Sequence, residues 1–153
     1  MGVRHSIDKI LTTQPSNNMK TEIAQNHIQK NLTPDDSLIG FFYAIQPFKW
    51  WLFLLIGPLA VLSMKSLFVA VTKNGLTFHR LNMLGRFSGS DSFTYKEIES
   101  VEIGKGLLQR PMKFKFTNGR KLNIKAQLKG VASVAKITEP VQRHIESNIN
   151  PSK

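Results

Sequence analysis

Apolar and polar residues alternate one for one over Met112, Lys113, Phe114, Lys115 and Phe116, and again over Lys121, Leu122, Asn123, Ile124, Lys125 and Ala126. A period of two is the mark of a strand with one buried face. Asn118-Gly119 lies between the two runs and suits a tight reversal. This is the clearest hairpin in the chain. Successive side chains of a strand point oppositely. Met112, Phe114, Phe116, Leu122 and Ile124 therefore go inward, and Lys113, Lys115, Lys121 and Lys125 share the outer face.

Other segments follow the same logic. Residues 38–45 are almost wholly apolar and predict a buried strand that Gln46-Pro47 ends. Residues 67–72 and 76–81 predict two strands joined by Lys73-Asn74-Gly75, with Asn-Gly supplying the positive φ angles of a tight hairpin. Residues 85–91 read as a polar loop or edge strand, and Phe93-Thr94-Tyr95 as a further short strand. Ile98, Val101 and Ile103 mark one more, ended by Gly104-Lys105-Gly106.

Helical spacing appears only at the two ends. Ile7, Ile10 and Leu11 predict a first short helix. Met19, Ile23, His27 and Ile28 share one face of a second, with Ser16 available as its cap. Thr33-Pro34-Asp35-Asp36 is a turn. Val134, Ile137, Val141 and Ile145 form an apolar stripe near the C-terminus. Pro140 interrupts it, which places a helix start at Thr138 with Pro140 in its first turn. The order is a helical N-terminal arm over residues 1–35, then about seven strands and a closing helix over 36–150. It is a mainly β, α+β chain: an antiparallel half-open barrel plugged by the terminal helix.

Residues 50–64 break every pattern, with fifteen positions and no charge between Lys49 and Lys65. As a helix the run reaches about 22 Å, short of the bilayer's hydrocarbon core at about 30 Å. Gly57-Pro58 near its middle breaks or kinks a helix. The segment is thus expected to be a short helical hairpin or loop inserted at 49–65. It is buried in the protein's own core, in a partner or in a bilayer, lying at the bilayer surface or, if the helix ran on through Val71, crossing it.

The charge is +11, and eight lysines and arginines fall within residues 101–130 against Glu102 alone. A basic surface this concentrated favours anionic headgroups, nucleic acid or an acidic protein. Nucleic acid is disfavoured, because Phe114 and Phe116 point away from the lysine face and leave no aromatic for base stacking. There is no cysteine, hence no disulfide or thiolate metal site.

The layout "V-T-x-x-x-L-x-F" over Val71–Phe78, "Y-x-x-I-x-S-V" from Tyr95 to Val101 and "K-G-L-L" over Lys105, Gly106, Leu107 and Leu108 resembles the small bacterial pleckstrin-homology-like proteins of the YokE-like family. The resemblance covers residues 36–148 and implies the pleckstrin-homology-like (PH-like) barrel. The apolar run falls where that fold joins its first two strands. Eukaryotic lipid-binding members carry a basic phosphoinositide loop there; here the junction is greasy.

Catalysis has little support at this level. His5, His27, His79 and His144 lie in separate elements without metal-ligand spacing, and His79 reads as a surface residue. Glu97, Glu99 and Glu102 read as a solvated face. No glycine-rich phosphate loop opens a helix. The expectation is a non-enzymatic module without metal or cofactor. It would sit peripherally or shallowly inserted at the inner, cytoplasmic face of a membrane. Trp50, Trp51, Phe53, Leu54, Leu55 and Ile56 would insert, and Lys49, Lys65, Lys113, Lys115, Lys121 and Lys125 would hold anionic headgroups. The alternative is a protein-binding or self-associating module, with the run buried in a partner or homo-oligomer interface.

Overall fold

The computed structural model describes residues 15–47, 55, 65–129 and 135–150. Seven antiparallel strands form one sheet: β1 (Leu38–Gln46), β2 (Lys65–Thr72), β3 (Gly75–Leu81), β4 (Phe87–Thr94), β5 (Ile98–Ile103), β6 (Gln109–Phe116) and β7 (Lys121–Gln127). Their spatial order is β4-β3-β2-β1-β7-β6-β5. The two outer strands do not pair, so the sheet is a half-open barrel. Helix α1 (Pro15–Lys30) precedes it and helix α2 (Glu139–Ile149) follows it.

The interior is filled by the inward faces of the strands. Phe42, Leu67, Val69, Val71, Leu76, Phe78, Met112, Phe114, Phe116 and Ile124 are buried there, joined by Val141, Ile145 and Ile149 of α2. The expected helix start holds: Thr138 occupies the cap position and Pro140 the first turn, although the Thr138 side chain makes no capping bond. Ile137 lies just before the helix, its N–H donating to Gln127 O at 2.9 Å. A register shift between Ile98 and Ser100 lets Ile98 and Val101 both face the core despite an odd spacing.

A second, smaller core lies on the outer side of the sheet. Ala24 and Ile28 of α1 pack on Phe68 and Ala70 of β2, with Leu32, Leu38, Phe41, Tyr43, Leu81 and Phe87 around them. The helical arm is therefore docked on the barrel. β2 is buried on both faces, which is why its sequence is a continuous apolar run rather than an alternation.

Several expectations are corrected. Ser16 lies inside α1 rather than before it. Ile23 is 54% exposed, and Ala24 takes the buried place on the helix. Residues 87–91 and Phe93-Thr94 fall in the single edge strand β4, residues 85–86 lie in the turn before it, and Tyr95–Glu97 is a 3-10 turn. His79 is not a surface residue: it is 2% exposed, because α1 covers the outer face of β3. The helix expected around Ile7, Ile10 and Leu11 lies outside the described residues.

The two Asn-Gly turns also differ. Gly119 has φ +82°, and its N–H donates to Phe116 O at 2.9 Å, as the sequence predicts. Neither Asn74 nor Gly75 has positive φ. Gly75 is required for another reason: a Cβ there would lie 2.1 Å from Phe93 O on β4. The turn is held instead by Asp36. Its carboxylate accepts from Thr72 Oγ1 at 2.6 Å, from Ser37 N at 2.8 Å and from Asn74 N at 3.2 Å.

Candidate functional site

Lys113, Lys115, Lys121 and Lys125 are all exposed on the outer face of the β6–β7 hairpin. Lys115 stands directly opposite Lys121. Like charges so placed repel. Glu99 relieves this, its carboxylate 2.5 Å from Lys115 Nζ. Glu102 faces Lys113 across β5 and β6. The face is thus least neutralised at Lys121 and Lys125.

The strand registers place this face relative to the apolar run. β1 pairs with β7 through Ala44↔Ala126 and Ile45↔Lys125. Gln46 pairs with Lys65 at the end of β1 and β2. Lys125 and Lys65 therefore flank the point where the chain leaves β1, two strand spacings or about 10 Å apart. Period two sends them to opposite faces: Lys125 alternates with the buried Ile124 and Ala126, whereas Lys65 shares the parity of the buried Leu67. Lys121 sits four residues further along β7, about 13 Å from Lys125. Lys49, Trp50, Trp51, Phe53, Leu54 and Ile56 lie outside the described residues. Leu55 is exposed.

A further turn, where the sequence predicts no element, stands beside this exit. Ser66 pairs with Leu81, and Leu81 with Phe87, so the β3–β4 turn is at the same end of the meander as the β1–β2 junction. It exposes Met83 and Leu84 at 76% and 79%. Their signal was visible as two large apolar residues within a polar stretch.

The outer core also holds a small polar cleft of about 160 Å³. Asn31, Thr33, Asp36, Thr72, Thr77, His79 and Ser92 supply its polar wall. Thr77 Oγ1 and Ser92 Oγ are 2.9 Å apart, and the Asp36 carboxylate is committed to the β2–β3 turn. Burial, and then the neighbouring His27, push His79 down to about 4, so its ring is neutral at pH 7. His79 Nδ1 is buried without a hydrogen-bond partner among the described residues. Burial and the Asp36 charge push Tyr95 up to about 12. It stays a phenol and donates to Thr72 O at 2.7 Å. Sequence spacing could not reveal this cleft, because its residues come from the helix, the following turn and three strands.

Among the described residues, no group of three or more His, Cys, Asp or Glu side chains could hold a metal ion. Among them also, no helix is long and apolar enough to cross a membrane.

No family model matches the chain, and no curated protein matches it. Solved structures do. The hSac2 domain from the human phosphoinositide phosphatase Sac2 is similar at TM-score 0.51 and 11% identity, covering 89% of this chain and 82% of that one. The C-terminal domain of an unknown protein from Leishmania infantum is similar at TM-score 0.46 and 16% identity, covering 69% of this chain and 85% of that one. At such identity the hSac2 likeness shows a shared fold, of PH-like type. It also corrects one expectation. A fold that occurs as a domain of a phosphatase gives no ground for setting catalysis aside, and the non-enzymatic reading is withdrawn.

Proposed function

We propose that this chain is a membrane-surface module of the YokE-like, bacterial PH-like kind, working at the inner face of a membrane. Trp50, Trp51, Phe53, Leu54, Leu55 and Ile56 enter the headgroup boundary. Lys49, Lys65, Lys113, Lys115, Lys121 and Lys125 attract anionic lipids. The observation that carries the reading is the register Ile45↔Lys125, which sets the basic outer face beside the exit of the apolar run.

The energies are of matching size. Each Lys or Arg near an anionic surface contributes about 1 kcal/mol. Each large apolar side chain removed from water contributes about 1.5–3 kcal/mol. Neither set anchors firmly alone, and together they do. Tryptophan beside lysine suits the boundary, where an amphipathic ring has one apolar and one wet side.

Flotation with neutral and anionic vesicles at low and high salt tests this. Salt-resistant flotation supports insertion of the run. Flotation with anionic vesicles at low salt alone leaves the lysines as the main contact. A protein that never floats overturns the reading and puts the run in its own core or in a protein interface.

A further inference from the structure

The turn between β3 and β4 is short, closed and greasy at its tip. Met83 and Leu84 are 76% and 79% exposed; among the described residues Leu107, on the β5–β6 connection, is the large apolar residue that exceeds them, at 85%. A flexible loop could hide such residues. This one is held in place by Asn82. The Asn82 side-chain oxygen accepts from Leu84 N at 3.0 Å and from Arg86 N at 2.9 Å. Asn82 N donates to Arg86 O at 2.8 Å, and Gly85 N to Asn82 O at 2.9 Å. Gly85 closes the reversal at φ +73°, a conformation that L side chains rarely adopt.

Two consequences follow from that geometry. The tip is pre-organised, so ordering it at a surface loses little entropy. Its N–H groups at 82, 84, 85 and 86 are already engaged, so moving the tip out of bulk water strands few donors. Arg86, the last residue of the turn, and Arg80, on β3 just behind the tip, are both exposed. Arg80 holds Asp91 at 3.6 Å, and Arg86 is left to face outward. An apolar tip with cationic shoulders matches a bilayer boundary, where chains lie below anionic headgroups.

Resting on the membrane reading above, we infer that turn 82–86 is a second insertion element, with Met83 and Leu84 entering a lipid surface beside the 50–64 run. The register Ser66↔Leu81 puts this turn at the same end of the sheet as the β1–β2 junction, on the neighbouring strand. A two-point contact also fixes the tilt of the barrel on the surface, which one greasy loop cannot do.

The chain has no cysteine, so Leu84→Cys carries an environment-sensitive dye at a single site. The probe surface is mixed phosphatidylcholine and phosphatidylserine vesicles. The dye is expected to report an apolar setting when vesicles are added. The pair Met83→Ser and Leu84→Ser is expected to lower the partition about tenfold or more while the circular dichroism spectrum is unchanged. Wild-type flotation with a dye that stays water-like, or a serine pair that floats equally well, overturns this inference and leaves the membrane reading standing. Failure of the wild-type protein to float overturns both.

Discussion

The imidazole of His27 lies flat on the ring of Phe87, centroids 3.7 Å apart and planes within 2° of parallel. His79 meets the same imidazole edge-on at 5.2 Å. This ring stack joins α1 to β3 and β4, and two of its three members titrate. Burial first, then Lys30, lower the His27 pKa as well.

Acid should therefore loosen the helix. The unfolded chain has His79 at 6.5, and the folded chain at about 4. As pH falls through 6.5 the unfolded state takes up the proton first, so stability declines from there down to about 4 and this group adds no further loss below that. The expected loss is about 2–3 kcal/mol. Denaturant midpoints at pH 7, 5.5 and 4 check it, and His79→Leu should flatten the dependence. An equal slope in that variant would refute the assignment.

Gly75→Ala should be far worse than Gly119→Ala, although both follow an asparagine. A Cβ at 75 meets the Phe93 carbonyl at 2.1 Å, which the backbone of β4 cannot yield. We expect a loss of about 3 kcal/mol or failure to fold. At 119 nothing lies within 4 Å of the new Cβ, and only the positive φ opposes it, at about 1–2 kcal/mol. Thermal midpoints of the two variants decide.

Asp36→Ala should cost about 2–3 kcal/mol, because Thr72 Oγ1 and the Ser37 and Asn74 N–H groups lose one shared acceptor. Asp36→Asn keeps one oxygen and should cost about half as much. Urea denaturation of both distinguishes a hydrogen-bonding role from a purely electrostatic one.

Neutralising the lysines one at a time should give unequal losses of anionic-vesicle binding at low salt. Lys121→Gln and Lys125→Gln should each weaken it about fivefold, near 1 kcal/mol. Lys115→Gln should do less, since Glu99 already offsets that charge. Equal effects at the three positions would show that local pairing is irrelevant to the contact.

The barrel was legible wherever one face met water. The β6–β7 hairpin follows from strict alternation, and the α2 start from Thr138 and Pro140. The outer core was not legible. A helix with so weak an apolar stripe gives little hint that it docks: among the described residues its buried apolar contacts are Ala24 and Ile28, with His27 stacked on Phe87 beside them. Once it docks, Phe68, Ala70 and His79 change sides from exposed to buried. Only the unbroken apolar stretch of β2 carried that information. The Asn74-Gly75 turn misled for a related reason: the same dipeptide serves a positive φ at one place and a close backbone approach at another. For the candidate site, the lysine face could be read directly from alternation. Its proximity to the apolar run could not, because that depends on β1 pairing with β7 across most of the chain.

The double burial of β2 makes that strand a shared wall between two compartments. Stripping α1 away would leave the barrel's interior sealed while uncovering Phe41, Tyr43, Phe68 and Phe87 as one continuous aromatic panel. The His27 ring stack and a few aliphatic contacts are what keep that panel covered.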